Sequence, residues 1–323
     1  MKSFTAGPNE NGVRLSRFVE GVTKDMPRSM MYKAFRNKRI KVNGKRAEPD
    51  TRLSAGDLIE LYINDEFFPV GKPTAKTAKL PRRQPPVTVV YEDENFAVLY
   101  KPAHLLCHSD RTGDANLVDA FAAYLEAKGE YDPHAEKRFA PALCNRIDRN
   151  TGGIVIAAKN AETLRIINEK IRAHELEKSY LCITVGRPKQ PEGKIEGFLL
   201  KNEAKKEVRF FHKPVPGGKT AVTLYRTLES RGGLSLVECR LLTGRTHQIR
   251  VSMAEIGCPL LGDGKYGKGD VNRRYHETRQ ALYSYKLRFD FPTDAGLLNY
   301  LKGQEFTVEN VPFREKYFPE IPS

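Results

Sequence analysis

The chain has 323 residues, with 54 Lys plus Arg against 40 Asp plus Glu and a formal net charge of +14. That length exceeds one average domain, so two are expected, and a pI near 9.5 favours polyanionic partners, nucleic acid ahead of a membrane surface. No apolar run approaches the roughly 18 to 20 residues of a membrane span, and the opening MKSFTAGPNENG lacks the apolar core of a secretory signal, so the expectation is a soluble cytoplasmic protein with no membrane partner.

Residues 14 to 63 read as a compact α/β module. RLSRFVEGV places Leu15, Phe18, Val19 and Val22 on one helical face, and SMMYKAFRNK does the same with Met30 and Ala34, the ring of Tyr32 nearby. RIKVNGKR then alternates Ile40 and Val42 before Asn43-Gly44, a strong hairpin signal, and DLIELYI supplies a returning strand. Lys33, Arg36, Lys38 and Arg39 gather where the second helix meets the hairpin, a basic edge that could equally be a solvated face. With its Arg14-Leu15 opening, its PRS helix start at Arg28 and its basic helix end leading into IKVNGK, this segment resembles the S4 RNA-binding domain. The resemblance implies binding to structured RNA through Arg14, Arg28, Lys33, Arg36 and Arg39.

Residues 67–86 read as a linker; within them PVGKPTAKTAKLPRRQPP carries five basic residues, no acid and five prolines, a composition that favours extended chain over a packed core. From Val87 the pattern becomes strand-rich. VTVVYEDENFAVLYKP reads as two strands about an acidic turn, with Lys101 and Pro102 at the end of the second, and GGIVIAAK reads as a buried strand. ETLRIINEKIRAHELEK is an amphipathic helix with Leu164, Ile167 and Ile171 on one face, and KSYLCITVG is the next strand. TAVTLYRTLES and LSLVECRLL are further strands, and THQIRVSMAEIG is a helix with Ile249, Met253 and Ile256 inward, ended by Gly257. Helices mixed with consecutive strands imply an α+β fold: a small N-terminal module over residues 1–66 and a second domain over 87–323 on a mixed, largely antiparallel sheet flanked by helices. Five cysteines (Cys107, Cys144, Cys182, Cys239, Cys258) are odd in number and form no C-x-x-C pair, which argues for packed thiols over disulfides or a zinc site.

Chemistry gathers in four places. In CNRIDRNTGG, Asp148 follows Arg146 by two, so an extended segment points both side chains one way and turns Ile147 into the core. The Thr151-Gly152-Gly153 turn then permits close backbone packing. An isolated R-x-D is ordinarily a structural salt bridge worth little. EKSYLCITVG puts Tyr180 at a strand start, a stacking ring for a base or simply core. TGRTHQIRVSMAEIGCPLLGDGKYG offers Arg245, His247 and Arg250 within six residues, and YKPAHLLCHSD has the look of a binding loop.

In this order these stretches resemble the RluA-type family of RNA pseudouridine synthases over essentially all of residues 87 to 290. The resemblance implies that Asp148 is the essential aspartate for breaking the uracil N1–C1′ bond and rejoining the ring through C5. It places Arg146 where the flipped uridine leaves the RNA stack, Tyr180 against the uracil with a possible part in removing the C5 proton, Arg250 as the cation paired with the carboxylate, and Arg245 and His247 as support for the pocket or a phosphate. Physical chemistry agrees: a stacked uridine must be extruded before its glycosidic bond is reachable, and an arginine beside a carboxylate favours its charged form. That carboxylate either attacks as a nucleophile or removes the C2′ proton, and the sequence leaves both open.

No cofactor is implied, because isomerisation exchanges no electrons with a carrier, and no metal-ligand cluster stands out. The chain departs from the family pattern at Asn145, usually His, and at His104, usually Gly. The expected protein is thus a monomeric isomerase acting on structured RNA, with large-subunit ribosomal RNA as the substrate and transfer RNA as the alternative. A catalytically inactive ribosome-associated binder is the second class. A glycoside hydrolase is the third, for which NRID supplies only one of the two acids needed.

Overall fold

The computed structural model describes residues 1–23, 25–68, 84–110, 113–133, 139–202 and 207–319. Most of the expected linker, residues 69–83, lies outside them.

The amino-terminal part runs β1 (Lys2–Thr5), α1 (Leu15–Val22), α2 (Arg28–Arg36), β2 (Ile40–Val42), β3 (Lys45–Arg46) and β4 (Leu58–Leu61). Its four strands form an antiparallel sheet in the order β1-β4-β2-β3. Asn43 and Gly44 both hold positive φ (52° and 74°), as the tight hairpin turn requires. The strand returning from that turn is Lys45–Arg46, and the DLIELYI strand lies on the other side of β2, between it and β1. The buried face of α2 is Met31, Ala34 and Phe35, while Met30 and Tyr32 are exposed. The expected face was one residue out of phase, because Phe35 at i+4 from Met31 offers more apolar area than Met30 and draws the helix round. Phe68 is buried in this core too, so the packed unit runs past residue 66.

The larger part contains β5 (Thr88–Glu92), β6 (Phe96–Lys101), α3 (Leu117–Ala127), β7 (Ala142–Leu143), β8 (Gly152–Ala158), α4 (Ala161–Arg172), β9 (Leu176–Val185), β10 (Glu192–Asn202), β11 (Glu207–Phe211), β12 (Lys219–Arg231), β13 (Leu234–Leu241), α5 (Gln248–Glu255), α6 (Gly269–Arg274), β14 (Leu282–Phe289), β15 (Glu305–Thr307) and α7 (Pro312–Tyr317). The sheet order is β11-β10-β12-β13-β9-β14-β8-β6-β5, with β15 on β14 and β7 on β8. β14 pairs with β8 in parallel, and every other pairing is antiparallel. This is the mixed, largely antiparallel α+β architecture expected.

Alternation sorts the side chains of this sheet onto two faces. One carries Leu99, Val155, Tyr180, Cys182 and Val237 against Phe121 of α3 and Ile249 and Met253 of α5. The other carries Val98, Ile154 and Ile156 against Ile167 of α4, continuing through Leu181, Ile183 and Tyr283. Asn116 and Asn160 accept the Asp119 and Thr163 amides and so open α3 and α4. All five cysteines are buried thiols. No helix among the described residues is long and apolar enough to cross a membrane.

Three local expectations change. α4 stops at Arg172, and Leu176 to Lys178 already belong to β9, so Tyr180 lies mid-strand. Gly152 and Gly153 open β8 instead of forming a turn. Their missing Cβ atoms are nonetheless used for close packing: a side chain at Gly152 would meet the Tyr283 ring, and one at Gly153, whose φ is +117°, would overlap the Ser284 backbone. The strands β1, β10, β11 and β14 carried no expectation.

Candidate active site

Ile147 is 7% exposed, with Arg146 open to solvent and Asp148 between those extremes. The alternation anticipated for this extended segment is therefore present, although it is not a strand. The segment is fixed from both ends. At its start the Asn145 carboxamide oxygen accepts the Ile156 amide at 2.8 Å, continuing the β7–β8 ladder after the backbone leaves it. At its end the Thr151 amide donates to the Asp148 carbonyl at 3.0 Å.

Beside it, the fully buried Lys101 ammonium donates to the carbonyls of Pro102 (3.0 Å), Leu105 (2.7 Å) and Arg149 (3.1 Å). One cation thus ties the loop after β6 to the Asp148 segment. Burial lowers its pKa to about 8, with Cys107 and Asp148 pulling the other way. Arg149, given no role from sequence, joins the same seam: its guanidinium donates to the His104 carbonyl and pairs with Asp114 at 3.0 Å. His104 holds φ +79°, a left-handed backbone conformation that costs a side-chain-bearing residue about 1–2 kcal/mol. A glycine would hold this backbone without that cost.

The cation paired with Asp148 comes from α5, whose start is set by its sequence. Gln248 is buried; its carboxamide accepts the Thr243 hydroxyl and the Arg245 amide and donates to Val222 and Thr223 of β12. The TGRTHQ loop is thereby pinned to the sheet, and His247 enters the helix with φ +55°. Arg250 follows, 6% exposed. Its Nε and Nη2 form a two-pronged pair with Asp263 at 2.7 and 2.8 Å, and Nη1 reaches Asp148 Oδ2 at 3.2 Å. Burial acts against the guanidinium charge, but the two carboxylates more than offset it and its pKa is raised. Burial likewise acts against the Asp263 carboxylate, and Arg250 with the Lys265 and Tyr266 amides holds it below its ordinary value. The Arg250 guanidinium also sits 5.2 Å from the Tyr266 ring centre.

His247 Nε2 lies 3.9 Å from Asp148 Oδ2, and its Nδ1 is 2.9 Å from the Tyr266 hydroxyl. Arg250 and His247 therefore both approach Oδ2; Oδ1 makes no hydrogen bond among the described residues. Tyr180 is buried in β9, opposite Ser284 of β14, and burial pushes its phenol up to about 12, with the Ser284 hydrogen bond acting the other way.

These groups line one cavity of about 270 Å³, shared by Arg146, Asp148, Lys178, Tyr180, Arg245, His247 and Arg250. The structure thus brings together Arg146, Asp148, Tyr180, Arg245, His247 and Arg250, while Lys101 and Pro102 do not line the cavity. Arg245 sits there by its chain position, its guanidinium donating to the Thr220 carbonyl at 2.9 Å. The residues sequence reasoning passed over are Asp263, Tyr266, Gln248, Ser284 and Lys178. Asp263 and Tyr266 stand in the quoted GDGKYG stretch, where an acid and an aromatic among glycines were the available signal. Among the described residues no group of three or more His, Cys, Asp or Glu is placed to hold a metal ion.

On the amino-terminal unit, Lys33, Arg36 and Arg39 are exposed and make no side-chain hydrogen bond or ion pair among the described residues. Arg14 instead contacts Asp50 at 3.4 Å, and Arg28 contacts Glu20 at 3.1 Å.

The site thus offers a carboxylate paired with a buried arginine beside a ring, in a cavity on a mixed sheet, which is equipment for nucleophilic or acid–base chemistry. The sequence model of the RNA pseudouridylate synthase family matches residues 95–255. A relative named ribosomal large subunit pseudouridine synthase C, from Vibrio vulnificus, is 31% identical over 286 residues, covering 87% of this chain and 86% of the relative. A protein of the same name from Haemophilus influenzae is 28% identical over 307 residues, covering 93% and 90%. The chain belongs to the RNA pseudouridylate synthase family and is an isomerase that makes pseudouridine from uridine in RNA. Its fold is shared with the solved human RNA pseudouridylate synthase domain containing 4, at TM-score 0.55 and 21% identity over 70% of this chain and 89% of that one.

Proposed function

We propose that the substrate is large-subunit ribosomal RNA and that Asp148 is the catalytic carboxylate. The observation that carries the second part is the chain Asp148–Arg250–Asp263: a buried arginine held on one side by a buried acid presents its remaining donor to a half-exposed one. Asp263 fixes and balances Arg250. Asp148, open to the cavity, is left to react. The names of the relatives support the substrate.

In this reading the target uridine leaves its stack at a cost of a few kcal/mol. Arg146, exposed and without a protein hydrogen bond or ion pair among the described residues, takes the vacated place. The uracil packs on Tyr180. Burial pushes that phenol up to about 12, so it is protonated at neutral pH and Tyr180 serves as a packing surface. Asp148 either attacks through Oδ1 or removes the C2′ proton, and both need it as the carboxylate, to whose Oδ2 Arg250 donates at 3.2 Å.

We further assign residues 1–68 to an S4-like unit that contacts structured RNA through Lys33, Arg36 and Arg39, with Arg14 and Arg28 at its margin. Residues 69–86 are then the linker and 87–323 the catalytic domain of a cytoplasmic monomer. Incubating the protein with ribosomal RNA transcripts should yield carbodiimide-dependent reverse-transcription stops at one or a few uridines. Asp148→Ala should remove them; equal stops from the variant would refute the assignment.

A further inference from the structure

We infer that Tyr266 is a positioning residue for the isomerisation: it fixes His247 as the imidazole tautomer protonated on Nε2, so that a neutral N–H faces Asp148 Oδ2 and leaves Oδ1 for the nucleoside. This rests on reading Asp148 as the catalytic carboxylate.

The argument is one of donors and acceptors. The Val208 amide of β11 can only donate, and it does so to the Tyr266 oxygen at 2.8 Å. A phenolic oxygen whose acceptor position is taken makes its other in-plane hydrogen bond with its own O–H. That second contact is His247 Nδ1, at 2.9 Å. Nδ1 therefore accepts, and in a neutral imidazole the proton must then sit on Nε2. Nε2 is the nitrogen that faces Asp148 Oδ2, at 3.9 Å.

Tyr266 is in turn held by the site it serves: its amide donates to Asp263 Oδ1 at 3.1 Å, and its ring lies against the Arg250 guanidinium. The two rings meet edge to face with centres 5.6 Å apart. His247 keeps a left-handed backbone to stand there, and such strain in a residue other than glycine marks a position fixed by its surroundings. Of the groups that face the imidazole, burial disfavours its charged form most, Asp148 and Asp263 favour that form, and Arg250 and Lys265 oppose it; the balance lies below the ordinary histidine value.

The direct test reads the histidine ring nitrogens by 15N shift correlation on the full chain. At pH 7 wild-type His247 should be the Nε2–H tautomer, and Tyr266→Phe should show a mixture. The same variant should lower kcat about five- to tenfold, as the loss of one hydrogen bond implies, with KM little changed. Its acid limb of kcat should move up in pH, because the donor that opposes protonation of Nδ1 is gone. His247→Gln, whose amide nitrogen stands near the place of Nε2, should keep more activity than His247→Asn. An Nδ1–H tautomer in the wild type, an unmoved tautomer and acid limb in Tyr266→Phe, or equal activity of the two His247 variants would each overturn the inference. Full activity of Asp148→Ala would instead overturn the carboxylate reading while the tautomer measurement stood, so the two failures are told apart.

Discussion

Arg250 joins two carboxylates that stand in different surroundings. The Asp263 side chain is fully buried, and that of Asp148 is 28% exposed. Removing the charge of Asp263 leaves a buried guanidinium without its main partner, so Asp263→Asn should cost about 3–5 kcal/mol. Asp148→Asn should cost about 1 kcal/mol or less, because solvent and Asp263 still serve the arginine. Urea melts of the two variants check the contrast. Because the folded pKa of Asp263 is lowered, its contribution is present above the unfolded carboxylate range and lost as pH falls through the folded value; Asp263→Asn should flatten that acid limb of stability. Asn145→Ala strands the buried Ile156 amide and should cost about 1–3 kcal/mol, with faster hydrogen exchange at Ile156 as the specific sign. This gives Asn145 a structural task. Asp148, Arg146, Tyr180 and Arg250 were legible in the sequence because each stands in an ordered motif. Asp263 and Tyr266 were printed in the last of those motifs but not separable within it. Their roles exist only once the loop folds back on α5, where Gly262 and Gly267 admit the backbones of Arg279 and Asp263 too closely for any side chain.

At the scale of elements, the glycine pair at the head of β8 decides how close β14 can come. Tyr283 and Ser284 of β14 lie opposite Gly152 and Gly153 in the parallel pair, and the same Ser284 stands opposite Tyr180 on β9. Gly153→Ala should therefore cost more than about 3 kcal/mol, combining overlap with a positive φ, and should lower activity by displacing the strand that supports Tyr180. Gly44→Ala, also at positive φ but with nothing within 4 Å, should cost about 1 kcal/mol. Thermal melts and a single-turnover assay on both separate backbone strain from overlap. Strands with a continuous apolar run, such as β6 and β8, were readable, whereas β10 was hidden by Gly193 and Gly197. Those glycines lower strand propensity locally but are covered in the sheet by the rings of Tyr225 and Phe210, a compensation that sequence order cannot display. The helix α5 was readable as a helix with Ile249 and Met253 inward; that Gln248, Arg250 and Ser252 are buried as well depends on partners from other segments.

Across the whole molecule, two separately cored sheets meet at one end of α4. The Asn9 side chain accepts the Ala161 amide at 3.0 Å, and Arg165 donates to the Asn11 carbonyl at 3.2 Å. Gly12 leaves room for that arginine. These contacts join the amino-terminal unit, which carries the exposed basic edge of α2, to α4. Deleting residues 1–68, a cut placed after Phe68 because its ring belongs to the amino-terminal core, should weaken RNA binding and reduce the slope of log K against log salt by about 2–3, while single-turnover chemistry on saturating RNA changes much less. An unchanged slope counts against an RNA role for that unit. The position of β14 has a consequence in time. It is the last long strand to leave the ribosome, yet it lies between β8 and β9, which were made long before. Until it inserts, Asp148 and Tyr180 stand on opposite sides of an open gap, and non-local pairing of this kind is slow to form. The cavity that joins Asp148 to Tyr180 is therefore completed only after the chain through residue 289 has been made.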